Sequence, residues 1–172
     1  KVFSKVVCAR VKDTLIAAQS CDQAGFRPGY CCEDHLFAAA QLLEKANEFN
    51  IPMWIVVVDF RKAFDTIHHS SLWQALQDQG IHWQYIDILQ KMYDGQQGRV
   101  LSGADKSRTF NIERGSKQGD PISPMLFNAT LELAMRRAKT KWRSKDMGWQ
   151  VDKDGEKLTN LRFADDVMLM AT

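Results

Sequence analysis

Apolar residues recur along the chain in two rhythms, a three- to four-residue spacing and short continuous runs rich in β-branched side chains. Phe3, Val7, Val11 and Leu15 share one four-residue spacing, which predicts a helix running to about Gln19. The Gly- and Pro-bearing stretch QAGFRPGY predicts a loop. Beyond it Leu36, Ala39, Ala40, Leu43 and Ala46 form one helical stripe. MWIVVVD is an unbroken apolar run ending in a charge, the mark of a central strand covered on both faces. SSLWQALQDQG and WQYIDILQKMYDG predict two short helices, the first with Ser at its start and Gly80 at its end. GRVLS and RTFNI predict a hairpin across GADK. Ser123 before Pro124 predicts an N-cap with Pro in the first turn, opening a helix whose stripe is Phe127, Leu131, Ala134, Met135, Ala138 and Trp142. LRFA and VMLM predict a last hairpin with Ala164, Asp165 and Asp166 at its tip. Strands and helices do not alternate regularly enough for a doubly wound sheet, so the fold class is α+β.

Composition narrows the class further. A chain of 172 residues, 45% hydrophobic, has material for one sizeable core and no signature of disorder or collagen. A net charge of +2 does not announce a polyanion-binding protein, so nucleic-acid contact must come from local clusters. Cys8, Cys21, Cys31 and Cys32 lack C-x-x-C spacing and follow no secretory signal, which points to reduced thiols in an intracellular protein of nucleus or cytoplasm, not a secreted one. No run of about 18 apolar residues exists to cross a membrane. Lys1 already stands inside a helical pattern and VMLMA is still in progress near Thr172, so the expectation is a segment of a longer protein.

Three carboxylates carry the candidate chemistry. Asp59 ends the apolar strand, and Asp165 and Asp166 sit at the last turn; with those strands as neighbours, the three converge at one edge of a sheet. Repulsion and desolvation would raise their pKa values unless a cation compensates. All-oxygen ligands suit a hard ion such as Mg2+, which keeps waters and takes substrate phosphates as further ligands. Two such ions can activate an attacking hydroxyl and stabilise a leaving pyrophosphate. Taken singly, Asp-Asp at a tip is also ordinary turn chemistry. Cys31 and His35 have a helical ligand spacing, but no second pair accompanies them, which disfavours zinc. The basic run from Arg136 to Lys145 reads as a wet outer face complementing a helix dipole rather than a nucleic-acid patch.

DQAGFRPGYCCEDHL, VVVDFRKAFDTIHHSSLWQAL, RGSKQGDPISPMLFNATLE and LRFADDVML, in this order, resemble successive motifs of reverse transcriptases, in the form typical of non-LTR (LINE-type) retrotransposons and their group II intron relatives. The resemblance covers nearly the whole chain. It implies a right-hand polymerase palm with part of the fingers, an antiparallel sheet packed on helices, with residues 1–52 as fingers-side helices and loop and residues 53–172 mainly palm. It implies an RNA-directed DNA polymerase core taking an RNA template, a DNA primer and dNTP, with two Mg2+ ions, or Mn2+ in their place. On that pattern Asp59 and Asp165 bind metal and Asp166 completes the acidic triad.

Phe64, five residues after Asp59, corresponds to the bulky side chain against the sugar of the incoming nucleotide, where an aromatic ring leaves no room for a 2′-hydroxyl. Gln118 and Gly119 fall in the nucleotide and template pocket, where Gly admits close backbone approach. Arg61 and Lys62, with Arg114 and Lys117, stand where triphosphate or template backbone would be contacted. A core aromatic, a helix-entry loop and solvated surface charge are the plainer readings of the same residues. The family's basic fingers motif, primer grip, thumb and endonuclease are not among these residues, so the 172-residue segment is expected to be inactive by itself. A decayed or domesticated palm serving as a non-catalytic nucleic-acid or protein scaffold is the alternative, against which the intact Asp59, Asp165 and Asp166 argue.

Overall fold

The four-residue spacing at the start of the chain folds as α1 (Val2–Ala18), which buries Val7, Val11 and Leu15. Ser4 replaces the predicted Phe3 on that buried face, because its hydroxyl donates to Asp120 Oδ2 at 2.8 Å while Phe3 stays exposed. The computed structural model describes residues 1–153 and 155–172. They form two compact units that interleave along the sequence. Lys1–Ala18 joins Lys62–Thr130 in the first, and Gln19–Arg61 joins Leu131–Thr172 in the second. Both helices and antiparallel strands are present, the α+β class expected.

In the first unit, α3 (Ala63–Thr66), α4 (His69–Asp78) and α5 (Trp83–Tyr93) follow one another, with Leu72, Ala75, Leu76 and Leu89 wholly buried. Ser does not open α4. His68, not Ser, is its N-cap residue and caps through backbone alone, while Ser70 and Ser71 lie inside the helix. At its end Gly80 takes a φ of +81°, which the chain reversal requires. The predicted hairpin is present as two nested pairs: β2 (Gln97–Gly98) with β5 (Phe110–Asn111), and β3 (Leu101–Ser102) with β4 (Asp105–Lys106). Its tip is Gly103 and Ala104, since Asp105 and Lys106 extend the ladder.

The second unit holds α2 (Cys32–Glu48) and a three-stranded antiparallel sheet of order β1-β7-β6, from β1 (Trp54–Val58), β6 (Asn160–Phe163) and β7 (Asp166–Ala171). α2 buries Ala39, Leu42 and Ala46 against Trp149, Leu161 and Met170. Leu36, Ala40 and Leu43 of the predicted stripe are exposed instead, because the face that meets the sheet runs through Leu42. β1 corrects a larger expectation. Among the described residues it is an edge strand pairing only with β7, and its Trp54, Val56 and Val57 are 71, 57 and 71% exposed, so it is not a central strand covered on both faces. A continuous apolar run reports that a strand's faces suit burial, not which neighbour covers them.

The long helix α6 (Ser123–Ser144) opens at the expected place, but Ser123 is its first helical residue and not an N-cap: its hydroxyl donates to the Lys117 carbonyl at 2.6 Å instead of accepting from the first turn. Residues 126–129 and 131–133 are all buried, so this stretch is covered around its circumference rather than on one stripe; Ala134 is exposed. The polar Glu132 within it is buried and ion-paired with Arg162 and Arg136. Of the basic run, Lys139 also turns inward, to Asp22 at 2.6 Å, while Arg137, Lys141 and Lys145 stay on the wet face.

Candidate active site

The candidate chemistry begins with a two-residue turn. β6 and β7 pair as far as Phe163↔Asp166, leaving Ala164 and Asp165 at the tip. Asp166 is therefore the first residue of β7 rather than part of the turn. Ala164 adopts a φ of +56°, a region that costs a residue with a Cβ about 1–2 kcal/mol. β1 lies on the other side of β7 and its pairing ends with Val58 opposite Val167, so Asp59 follows the last paired residue of β1 and Asp166 precedes Val167 on β7. Asp165 adjoins Asp166 in the chain. The sheet thus gathers the main chains of Asp59, Asp165 and Asp166 at one end of the β1–β7 ladder. Asp165 is half-buried, and Asp59 and Asp166 are exposed.

The loop read from QAGFRPGY does more than connect α1 to α2. Gln23, wholly buried, pairs with Arg162 in a parallel bridge, and its side chain bonds both main-chain groups of Ala164. Asp22 beside it anchors a buried polar cluster. Its Oδ2 accepts from Lys139 Nζ at 2.6 Å, Ser20 Oγ at 2.9 Å and Asn160 Nδ2 at 3.3 Å, and lies 3.7 Å from Arg162 Nη2. None of these residues carries an apolar rhythm. The signal available in the sequence was Gly25 two residues after Gln23, and Gly25 is where a Cβ would lie 2.2 Å from the Ala164 nitrogen.

Of the other predicted residues, Arg61 belongs with the second unit, and Lys62, Phe64, Gln118 and Gly119 belong with the first. Arg61 and Lys62 are exposed, Lys62 with a φ of +52° as the N-cap residue of α3. Phe64 is half-buried and stacked on Phe127, ring centroids 4.5 Å apart and planes inclined by 22°. The segment ahead of α6 fastens onto the Phe64 segment: Ser116 N donates to the Phe64 carbonyl and Gly115 N to that of Ile67, each at 2.7 Å. Gln118 Nε2 donates to Asp65 Oδ1 at 2.9 Å, so Gln118 is engaged beside Phe64 in sequence. Gly119 has a φ of +74° and open space where a Cβ would stand.

The carboxylate donors fit a hard divalent ion in kind. Among the described residues, no three His, Cys, Asp or Glu side chains are gathered as a ready metal cage, Cys31 and His35 included. Mg2+ characteristically takes one or two carboxylates and completes its octahedron with waters and substrate phosphates.

Comparison with known proteins places the chain in a family. The chain is 33% identical over 151 residues to the Retrovirus-related Pol polyprotein from type-2 retrotransposable element R2DM of Drosophila melanogaster, covering 87% of this chain and 13% of that polyprotein. It is 36% identical over 117 residues to the R2 polyprotein of Popillia japonica, covering 67% of this chain and 16% of that one. It therefore spans less than a fifth of the length of these relatives. Among solved structures, telomerase from Candida tropicalis superposes with a TM-score of 0.67 at 11% identity, covering 97% of this chain and 34% of the telomerase, a likeness of fold. Residues 1–172 match throughout the family described as Reverse transcriptase (RNA-dependent DNA polymerase), and the chain belongs to that family.

Proposed function

We propose that the chain is the core of an RNA-directed DNA polymerase of a non-LTR retroelement, which joins dNTP to a primer 3′-hydroxyl on an RNA template. The observation that supports this reading is that β1 and β7 end their pairing at Val58 opposite Val167, with Asp59 next after Val58 and Asp165 and Asp166 just before Val167. In it Asp59 and Asp165 are the ligands of two divalent ions, Mg2+ in the first instance, with Asp166 as the third carboxylate. Bound there, such ions supply Lewis acidity that lowers the pKa of the attacking hydroxyl and offsets charge on the departing pyrophosphate.

The protein's own part is positioning. Phe64, backed by Phe127, is the ring against the sugar of the incoming nucleotide. Gln118 and Gly119 belong to the nucleotide and template pocket, and Arg61 and Lys62 to the phosphates. Residues 1–52 would serve as the fingers side and residues 53–172 mainly as palm. The similarity to R2 polyproteins supports the retroelement assignment, and no helix among the described residues is long and apolar enough to cross a membrane.

The test is primer extension on an RNA template with Mg2+ by the full-length protein and its Asp59→Asn and Asp165→Asn variants. Extension by the wild type, abolished in both variants with folding intact, is expected. An inactive wild type that still binds RNA would favour a non-catalytic scaffold instead.

A further inference from the structure

The turn that carries Asp165 is held from outside its own hairpin. Gln23 is wholly buried, and its amide meets Ala164 at both main-chain groups: Nε2 donates to the Ala164 carbonyl at 3.1 Å, and Oε1 accepts from the Ala164 N–H at 2.9 Å. The same Oε1 accepts from Gly25 N at 2.9 Å, which fixes the side chain to its own loop. On either side the loop is sewn to β6 by Arg162 N donating to the Asp22 carbonyl at 2.7 Å and Ala24 N donating to the Arg162 carbonyl at 2.9 Å. Ala164 is the residue with positive φ in this turn, a conformation that favours glycine. A hairpin tip whose strained residue has a Cβ needs outside contacts to hold one geometry.

We infer that Gln23 is a positioning residue for the carboxylates of the Ala164–Asp165 turn. It sets the Ala164 main chain, and so fixes where Asp165 and the first residue of β7, Asp166, leave the backbone. Only an amide serves all three bonds, since the site needs one donor and a shared acceptor. Asn is too short by one methylene, and Glu keeps the acceptor but loses the donor. Gly25 makes the approach feasible, because a Cβ there would collide with the Ala164 nitrogen. The consequence for chemistry rests on the polymerase reading above, whereas the consequence for the turn does not.

The two are read separately in the full-length protein. Hydrogen exchange resolved at the Ala164 amide should accelerate about tenfold or more in Gln23→Ala, from loss of a buried hydrogen bond, with Val56, Val57 and Val58 exchanging as in the wild type. In primer extension the same variant should lose about 10- to 100-fold in kcat, with KM for dNTP within about twofold, because misplaced carboxylates act on the chemical step rather than on nucleotide binding. Gln23→Glu should restore protection at Ala164 and recover only part of kcat. A Gln23→Ala enzyme with wild-type kcat would overturn the inference. So would exchange that rises equally over β1, β6 and β7, which is the mark of general loosening. Should Gln23→Ala not fold, Gln23→Glu decides: full kcat or an unprotected Ala164 overturns the role. If the wild type extends no primer, the polymerase reading fails while exchange at Ala164 still judges the clamp.

Discussion

Arg162 Nη2 donates to Glu132 Oε2 at 3.0 Å, with the Arg162 side chain fully buried and that of Glu132 4% exposed. Arg162 lies two residues before Ala164, so this pair underlies the strand that presents the acidic turn. Nε and Nη1 of Arg162 have no hydrogen-bond partner among the described residues, which leaves the guanidinium dependent on Glu132 and on Asp22 at 3.7 Å. Glu132→Ala removes one partner of a buried pair and strands the other charge, a change that costs about 3–5 kcal/mol. Urea unfolding should show it as a large drop in midpoint, with Glu132→Gln intermediate. A midpoint within experimental error of the wild type would show that Asp22 alone satisfies Arg162.

The stacking of Phe64 on Phe127 turns the proposed sugar gate into a two-residue device. Phe64→Ala opens space at the sugar and should raise kcat/KM for rNTP relative to dNTP by about 10- to 200-fold, the range over which steric fit discriminates small groups. Phe127→Leu leaves the gate in place but removes the ring behind it, so a smaller shift in the same direction is expected. The kcat/KM ratio for the two nucleotides measures both. An unchanged ratio in Phe64→Ala would remove Phe64 from that role and leave it a packing aromatic.

Burial pushes the His35 imidazole below its ordinary value, while Asp22 and a hydrogen bond to the Cys21 main chain push the other way. With the folded value depressed, the unfolded chain binds the proton more readily. This contribution to stability is therefore present above the ordinary histidine value and is lost as pH falls below about 6.5. Wild type should lose stability between about pH 7.5 and 5.5, and His35→Gln should lose less over the same interval. Equal losses in the two proteins, from urea midpoints at each pH, would assign the acid sensitivity to other groups.

Local rhythm made much of this fold legible. Val7, Val11 and Leu15 of α1, the Gly80 stop of α4 and the β6–β7 hairpin all rest on spacing within one element, and each is present where the pattern put it. What depended on distant partners was not legible. Whether β1 is covered depends on its neighbours, and Ser4 displaces Phe3 because Asp120 receives its hydroxyl. Gln23 is the sharpest case at the site. It sits in a polar loop without periodicity, and its partner Ala164 is 141 positions away.

The share of its relatives that this chain represents leads to the last expectation. The 151 matched residues cover 13% of the R2DM polyprotein, and this chain includes the proposed metal ligands Asp59, Asp165 and Asp166. Metal ligands alone are a small part of nucleotidyl transfer. Holding primer end and triphosphate in attacking geometry can supply roughly 7–11 kcal/mol of a barrier. Duplex is retained by many phosphate contacts whose strength falls steeply with salt. A polypeptide limited to these 172 residues, at +2 net charge, offers few such contacts. It should bind divalent metal weakly and fail to extend a primer on RNA, whereas the full-length protein extends it and loses that activity with Asp165→Asn. Primer extension at about 50 and 200 mM salt compares the three, since low salt favours any residual binding by the short polypeptide. Robust extension by residues 1–172 at either salt would mean that these residues suffice to position substrate.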